Sequence, residues 1–554
     1  NLRRPNLRGK ALHLAMIKAF LKPTLGLTIG LLAMGCSSTG LLLTAPTLSY
    51  QNTTPRTREL SDDESKQWGH LDLLQDTVPG MSVNRAYEEL IKKKKGQPII
   101  VAVIDSGIDL AHEDIQDVLW VNPGEKADGI DNDGNGYVDD IHGYNFLGAS
   151  YHEQLEFTRI LRLKLGDESL QKKAKAELDA KLPEAKAALP QIQQIEQFVS
   201  LAHQNIQKKL GKEYYSLADL QNYTPQTPQE EQLVGILMQV LGMGEDIPSA
   251  LADLQEGIAY YESQLSYNLN VDFDGRKPVG DNPYDFSDTK YGNGDPNILD
   301  ADESHGTHVA GIIAANRTNK KGVKGVAQAV KIMSIRAVPD GDEYDKDIAN
   351  AIRYAVDNGA KVINASFGKK FSPNAEWVNE ALKYAASKDV LFVHAAGNDG
   401  LDLDDLQNSN FPNDHLGKNA PELVDTYLTV GALSPVYGSE MIASFSNYGK
   451  SNVDVFAPGD KIYSTMPGND YDFQGGTSMA APAVAGIAGL IRSYFPQLTA
   501  AEVKKIIMDS GLSLPIAVAV GEEEKTLDQI SKSGKIANLY NALILASDTT
   551  LKKN

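Results

Sequence analysis

Short apolar runs alternate with amphipathic segments between residues 331 and 494, and this alternation restricts the folds that are open to the chain. The runs KIMSIRAV (331–338) and KVINASFG (361–368) are typical of buried strands. The segment DKDIANAIRYAVDNG (345–359) between them has the apolar spacing of a helix. Strands and helices that alternate in this way form a mostly parallel sheet with helices on both faces. The sequence therefore predicts an α/β fold.

A further apolar run, PIIVAVIDSGID (98–109), stops at Asp105. A carboxylate at the carboxyl end of a buried parallel strand lies at the edge where open α/β sheets hold their sites. Taken alone, Asp105 fits a turn-forming residue better than a site residue. Its meaning depends on the other polar motifs of the chain.

The stretch GGTSMAAP (475–482) joins a glycine-rich turn to a run of small apolar residues that predicts a buried helix. Ser478 would stand at the start of this helix. Free N–H groups and the positive end of the helix dipole stabilise a negatively charged oxygen at that position. Two other polar motifs are SHGTHVAG (304–311), which places His305 before a helix, and AAGND (395–399), in which Asn398 follows a strand.

These four motifs together resemble those of the subtilisin-like serine proteases, the subtilases. The resemblance implies a subtilisin-like peptidase domain formed by residues 85–150 and 269–550, and it does not cover the segment between them. Its motif order of Asp, then His, then Ser is the one known for subtilisin. The expected activity is that of a serine endopeptidase.

The resemblance implies a role for each polar residue of the four motifs. Ser478 would attack the peptide carbonyl and form an acyl-enzyme, and His305 would act as its general base. Asp105 would hold the imidazole in one tautomer and stabilise its charged form. The Asn398 side-chain amide and the Ser478 N–H would bind the oxyanion.

A polypeptide substrate is expected to pair as an extended strand with residues 363–368, beside a pocket bounded by residues 395–398. Pairing through the main chain implies broad specificity. Small residues on one wall of the pocket favour a large apolar side chain, whereas Asp399 near its mouth would admit Lys or Arg. The residues assigned to substrate binding are Ala365, Ser366, Phe367, Gly368, Ala395, Ala396 and Gly397.

The segment DGIDNDGNGYVDD (128–140) has the alternating acidic pattern and the glycine of loops that wrap calcium. His142 stands where such loops usually have a bidentate Glu, and no flanking helix pair is evident. We expect a structural calcium site, with an Asx-rich turn that needs no ion as the alternative. No cofactor is expected for the chemistry itself. The predicted metal ligands are Asp131, Asp133, Asn135, Tyr137 and Asp139.

Residues 151–268 differ in composition from the rest of the chain and carry apolar residues at helical spacing. They predict an all-helical insertion, either a hairpin or a small bundle. One of its helices is expected to start near Lys172 and to end at Pro183. The insertion has no motif of its own for catalysis, so it is the expected place for a protein partner or for control of access to the site.

The N-terminal residues resemble a bacterial export signal of the lipoprotein type, with a translation start at Met16 and a signal segment that ends at residue 36. A basic start and a short apolar run precede Cys36, the single cysteine of the chain. A lipid on Cys36 would anchor the protein to the membrane at the cell envelope. The alternative is an ordinary signal peptide and a periplasmic or secreted protein. Residues 37–84 are expected to form a flexible tether and an N-terminal extension.

The net charge is −20, and no basic stripe is present. Nucleic acids are therefore not expected partners. Two alternatives to an active protease remain at this stage. One is a binding protein on a subtilase scaffold with idle chemistry, although every catalytic side chain is present. The other is an esterase, although the G-x-S-x-G elbow typical of such enzymes is missing.

Overall fold

The part of the chain that the computed structural model describes consists of residues 43–50, 53–242, 244, 246–415 and 420–553. The predicted signal segment, including Met16 and Cys36, lies outside these residues. Within them, no helix combines the length and the apolar composition that crossing a bilayer requires.

The described residues form one large parallel sheet and two small antiparallel hairpins. The strands are β1 (Ile99–Asp105), β2 (Gly143–Asn145), β3 (Val330–Arg336), β4 (Ala360–Ala365), β5 (Leu391–Ala395), β6 (Tyr427–Leu433), β7 (Val455–Pro458), β8 (Ile462–Met466), β9 (Asp470–Gln474), β10 (Ala517–Val520) and β11 (Glu523–Thr526).

The large sheet has the strand order β2-β3-β1-β4-β5-β6-β7, and all of its neighbouring strands run parallel. From β1 the chain first builds β2 and β3 on one side, and then β4 to β7 on the other. The carboxyl end of β1 therefore lies where the strand order reverses, which is where open α/β sheets form a crevice. The predicted α/β fold with a mostly parallel sheet is confirmed.

Helices cover both faces of the sheet, and others form the insertion. The helices are α1 (Asp62–Ser65), α2 (Leu73–Asp76), α3 (Val83–Arg85), α4 (Glu156–Leu163), α5 (Glu168–Leu210), α6 (Leu217–Gln221), α7 (Pro228–Gly242), α8 (Ile247–Ser263), α9 (His305–Ala314), α10 (Asp345–Asp357), α11 (Ala375–Ser387), α12 (Thr477–Tyr494), α13 (Ala500–Ser510), α14 (Leu527–Ile530) and α15 (Leu539–Lys553).

The strand β1 shows how the two faces of the sheet are buried. Its residues Val101 and Val103 belong to the apolar core that includes α9 and α12, whereas Ala102 and Ile104 belong to the core that includes α10 and α11. A strand that is buried on both faces reads as a continuous apolar run, which is the pattern of the sequence at this point. The helix α12 is buried around its whole circumference.

The insertion is helical, as predicted, but its long helix does not end where the sequence suggests. The helix α5 is 43 residues long and continues through Pro183 and Pro190. Each proline removes one main-chain donor from the helix. Ala174, Ala185, Val199, Ala202 and Ile206 are buried along α5, so packing against neighbouring helices holds it together on both sides of the prolines. The predicted end at Pro183 is therefore wrong.

Residues 43–50 lie on α15, so the prediction of a flexible tether is wrong for them. The Leu43 N–H donates to Ser547 Oγ at 3.0 Å, and the Leu48 N–H donates to Asn541 Oδ1 at 2.6 Å. The indole of Trp68, which is 1% exposed, donates to the main-chain oxygens of Asp460 and Lys461. Side chains of α15 thus bind the main chain of residues 43–50, and Trp68 connects the N-terminal extension to the segment after β7.

Candidate active site

Asp105 and His305 meet at the carboxyl end of β1. The His305 Nδ1 lies 2.7 Å from Asp105 Oδ1, and the same oxygen accepts a hydrogen bond from the Ser106 N–H at 2.8 Å. Asp105 is 1% exposed, whereas the His305 side chain is 35% exposed. The buried carboxylate therefore fixes the ring from behind, and the rest of the imidazole faces the crevice.

Gly306 allows this meeting because the first turn of α9 passes directly over the end of β1. A Cβ on Gly306 would lie 2.1 Å from the main-chain oxygen of Gly107, a distance that no side chain tolerates. Any larger residue would move α9 away and separate His305 from Asp105. Thr307 adds a second link, since its hydroxyl accepts from the Asp109 N–H at 2.9 Å.

The electrostatics of the pair favour a charged imidazole. Burial lowers the pKa of His305, whereas the charge of Asp105 and the hydrogen bond to it raise this pKa. The two raising effects together outweigh burial, so the pKa lies above its usual value of 6.5. His308, one turn later, behaves differently. Burial lowers its pKa to about 4, and its Nε2 lies 3.1 Å from the main-chain oxygen of Asp472. Of the two, His305 is the one suited to carry a proton.

Ser478 lies in the first turn of α12, as the sequence predicts, and it makes a two-way contact with Ser366 after β4. The Ser366 hydroxyl donates to the Ser478 main-chain oxygen at 2.8 Å, and the Ser478 hydroxyl donates to the Ser366 main-chain oxygen at 3.2 Å. Pro482 explains the first bond. It lacks the N–H that would normally bind the oxygen four residues earlier, and the Ser366 hydroxyl supplies the missing donor.

The structure shows the Ser478 hydroxyl bonded to Ser366 and shows no hydrogen bond from it to the His305 imidazole, both of which lie in the described residues. Hydrogen bonds of catalytic groups are often incomplete in the absence of substrate. Rotation of the Ser478 side chain about its Cα–Cβ bond would direct the hydroxyl away from Ser366.

Asn398 is held in one orientation by Thr477, a residue that the sequence analysis did not select. The Asn398 Oδ1 accepts from the Thr477 N–H and from the Thr477 hydroxyl, both at 2.8 Å. The Thr477 Oγ1 in turn accepts from the Gly397 N–H at 3.0 Å. Because the amide oxygen is occupied, the amide NH₂ group of Asn398 remains available as a donor. The position of Thr477 beside Ser478 is the signal that could have identified it.

Arg336 and Glu303 form a second support that the sequence analysis missed. Arg336 ends β3 beside Asp105 and is 0% exposed, and its guanidinium binds Glu303, two residues before His305. It also donates to the Ser150 main-chain oxygen at 2.8 Å. The available signal is an arginine inside the apolar run KIMSIRAV, because a charge in a buried strand requires a partner.

The residues assigned to substrate binding lie on two neighbouring strand ends. One set follows β4, the other follows β5, and Asn410 lies between them. The Asn410 amide donates to the main-chain oxygen of Ala396 at 2.9 Å. A Cβ on Gly368 would lie 2.4 Å from Asn410 Oδ1. Asn410 therefore contacts both sets.

The predicted calcium loop forms a compact turn. The Asp131 carboxylate accepts from the N–H groups of Gly134 and Gly136 at 2.7 and 2.9 Å, and Asp139 accepts from Asp128 and Gly129. The side-chain oxygens of Asp133 and Asn135 likewise accept main-chain N–H groups, and the Tyr137 ring packs on Tyr144 and Tyr354.

A carboxylate cluster with a different membership lies beside this loop. Oxygens of Glu125, Asp133 and Asp140 approach one another within 4.8 Å. Burial raises the pKa of Asp140 to about 6, so this carboxyl resists ionisation unless a positive charge is nearby. An all-oxygen set of this kind suits calcium. Of the predicted ligands, only Asp133 belongs to it.

The sequence of the chain is similar to those of known serine proteases. The model of the subtilase family, Peptidase_S8, matches residues 96–529, which is more than half of the chain. The thermophilic serine proteinase of Bacillus sp. (strain AK1) is 40% identical over 237 residues, which are 43% of this chain and 52% of that protein. The halolysin-like extracellular serine protease Nep of Natrialba magadii is 34% identical over 292 residues, 52% of this chain and 48% of that protein.

A third relative is matched over more of its length. Subtilisin DY of Bacillus licheniformis is 36% identical over 211 residues, which are 38% of this chain and 71% of that protein. The chain spans about half the length of the first two relatives. Because the family model matches more than half of the chain, the chain belongs to the subtilase family.

Proposed function

We propose that the chain is a serine endopeptidase that hydrolyses peptide bonds through an acyl-enzyme on Ser478. The observation that carries the proposal is the 2.7 Å contact between His305 Nδ1 and the buried Asp105 carboxylate, at the sheet edge that also receives the first turn of α12. A serine hydroxyl is a weak nucleophile at neutral pH and needs a base beside it. The partly exposed His305 is the base in this proposal.

Before the first chemical step, the Ser478 hydroxyl donates a hydrogen bond to the Ser366 main-chain oxygen. An extended substrate that pairs with this strand end would offer its own N–H to the same oxygen. The hydroxyl would then turn to His305 Nε2, give up its proton and attack the carbonyl carbon. Asp105 stabilises the imidazolium that results, and His305 later passes the proton to the leaving amine.

The negative charge that develops on the carbonyl oxygen requires donors that are already in place. In this proposal they are the Asn398 NH₂ group, which Thr477 orients, and the Ser478 N–H at the start of α12. Donors that do not have to reorganise lower the barrier most effectively. Loss of the Asn donor in subtilisin, a member of this family, costs about 3 kcal/mol of barrier.

Covalent labelling tests this proposal. We expect a fluorophosphonate probe to modify the full chain at Ser478 and to modify neither Ser478→Ala nor denatured protein. Ser478→Ala should also lose peptide hydrolysis while keeping its melting temperature. Absence of labelling in folded, calcium-loaded protein would leave the idle-scaffold alternative in place.

We also propose a structural calcium ion at the loop 128–140, supported by the oxygen ligands of this loop and of the adjoining Glu125 and Asp140. A bound ion would supply the positive charge that these carboxylates lack. Chelation should then lower the melting temperature of Ser478→Ala, and added calcium should restore it. The variant Asp133→Asn should lose most of this response, because Asp133 belongs to both ligand sets. An unchanged melting curve would favour the ion-free turn.

Export is the third part of the proposal. It is supported by the signal-like residues 16–36 and by the word "extracellular" in the name of the Natrialba relative. Lipid attachment at Cys36 would place the enzyme at the cell envelope. Metabolic labelling with a fatty-acid probe tests it, with Cys36→Ser as the control that should lose the label.

A further inference from the structure

A cleft of about 300 Å³ opens beside the His305 imidazole. Two main-chain segments border it. One is 338–341, which follows β3, and the other is 366–368, the strand end to which the proposed function assigns the substrate. His305 and Asp105 also line the cleft. A peptide that reaches the reactive groups would therefore have a side chain within reach of this space.

The ionisable side chains that line the cleft are mostly carboxyl groups. His305 is its single basic residue among the described part of the chain, and no Lys or Arg lines it there. Five carboxyl groups line it, and two of them already have partners, since Asp105 binds His305 and Glu303 binds Arg336. The other three are Asp302, Asp340 and Glu343, and none of them pairs with a Lys or Arg in the described part of the chain.

Glu343 is the second and independent sign that a ligand belongs here. It is 2% exposed, and its Oε1 has no hydrogen-bond partner in the described structure. The nearby cations of Arg159 and Lys369 donate to the Glu343 main-chain oxygen, and Lys369 is further committed to Glu156. A buried acceptor without a donor is rare in folded proteins. Burial also raises the pKa of this carboxyl to about 8, so a cation that reached it from the cleft would stabilise its charged form.

Asp340 is fixed at the edge of the same cleft by the two ends of the insertion. Its Oδ2 accepts from the Ser263 hydroxyl at 2.8 Å and contacts His152 Nδ1 at 2.7 Å. Asp302 is exposed to solvent. Tyr151 also lines the cleft, and burial together with the charges of Asp340 and Asp302 raises its pKa to about 12.

We propose that this cleft binds a Lys or Arg side chain of the polypeptide substrate, close to the bond that is cleaved. The inference rests on the proposed function and gives it a substrate class. A guanidinium or ammonium group would supply N–H donors to Glu343 and opposite charge to Asp302 and Asp340. It concerns a different pocket from the one beside residues 395–398, so an apolar side chain there is compatible with it.

The test uses the full chain carrying Ser478→Ala, so that binding is measured without cleavage. A neutral host peptide is synthesised with arginine at one position at a time, and each peptide is matched by one with citrulline, its uncharged isostere. We expect arginine to bind at least 10-fold more tightly than citrulline at one position, by fluorescence anisotropy. Equal affinities at every position would overturn the proposal.

Variants then connect the preference to the cleft. Asp302→Asn and Asp340→Asn should each reduce the arginine-to-citrulline ratio at least three-fold, and Glu343→Gln should do so as well. The matched control is Asp548→Asn, an exposed carboxylate on α15 outside the cleft lining, which should leave the ratio unchanged. A ratio that Asp302→Asn and Asp340→Asn leave intact would place the preference elsewhere and reject the cleft.

The two proposals fail in different ways. Fluorophosphonate labelling of the wild-type chain together with equal affinity for arginine and citrulline would reject the cleft and keep the protease. An arginine preference that depends on Asp302 and Asp340, without labelling of Ser478, would keep the cleft and reject the catalytic role.

Discussion

The first two helices of the insertion, α4 and α5, differ in whether their ion pairs are buried or exposed. On α4, Glu156 and Arg159 are 1% and 0% exposed, and they pair with each other at 2.5 Å. On α5, Lys175 and Asp179 also pair, at 2.7 Å, but their side chains are 65% and 60% exposed. A buried pair that loses one partner leaves an uncompensated charge, whereas an exposed pair contributes little.

The difference shows which part of the insertion serves the site. The Glu156 carboxylate binds Lys369 at 2.7 Å. Lys369 directly follows residues 366–368, the strand end to which the proposed function assigns the substrate. Arg159 donates to the main-chain oxygens of Asp342 and Glu343, which lie on the other side of the cleft. The helix α4 therefore joins two segments of the peptidase. The outer bundle, α5 to α8, makes its own small apolar core around Leu237.

The largest effect should come from the pair of Asp105 and His305 at the sheet edge, because His305 is the proposed base. We expect Asp105→Asn to reduce kcat about 10⁴-fold, because the neutral amide holds the wrong imidazole tautomer. The matched control is Asp179→Asn on α5, the same chemical change at an exposed pair, which should leave kcat unchanged. Similar losses in both variants would remove the distinction between the two regions.

The same variant should move the pH profile. Asp105 raises the pKa of His305 against the lowering effect of burial, and the neutral imidazole is the active form. In the wild type, kcat/KM should therefore rise with pH with a midpoint above 6.5. In Asp105→Asn the raising effect is gone, so the midpoint of the residual activity should move to lower pH. A midpoint that stays in place would separate Asp105 from His305.

The next effect concerns stability. Arg159→Met should lower the free energy of unfolding by about 3 kcal/mol, because it removes one of the two buried cations that pair with Glu156 and leaves only Lys369. Lys175→Met on α5 makes the same replacement at an exposed pair and should cost less than about 0.5 kcal/mol. Urea unfolding of both variants, in the Ser478→Ala background to prevent self-cleavage, measures the difference. Equal costs would show that α4 is no more integral than α5.

The smallest effect should follow removal of most of the outer bundle. Replacing residues 168–260 by a flexible linker removes most of the outer bundle and keeps α4, Ser263 and Asn268. We expect kcat/KM for a small peptide to change less than about three-fold. A deletion of 151–268 should instead abolish activity. It removes Glu156, which binds Lys369, and Arg159, which binds the main chain of Glu343. Loss of activity in a folded 168–260 deletion would assign the outer bundle to the site.

Much of the fold was predictable because it depends on local pattern. The buried strands are continuous apolar runs, and Asp105, His305 and Ser478 each lie in a short motif at a strand end or a helix start. The contacts that support these residues were not predictable in the same way. Arg336 and Glu303 are 33 residues apart, and Ser366 and Ser478 are 112 residues apart. Such partners are brought together by the topology, which no local pattern encodes.

The errors have the same origin. Pro183 ends a helix in isolation, but α5 continues because the residues on both sides of the proline pack against neighbouring helices. Residues 43–50 read as a tether because their composition is polar, yet the side chains of α15 bind their main chain. In both places tertiary contacts compensate for a local preference.

The contact between residues 43–50 and α15 bears on how long such a protein survives. A protease in solution meets copies of itself, and cleavage by another copy requires a segment that can detach and extend. Segments that separate easily from the rest of the fold are where such attack usually begins. Here the main chain of Leu43 is hydrogen-bonded to Ser547, and that of Leu48 is hydrogen-bonded to Asn541. Residues 43–50 and α15 can therefore separate only if these hydrogen bonds break. Resistance to self-digestion would then depend on how often the contact between residues 43–50 and α15 opens locally, rather than on global unfolding.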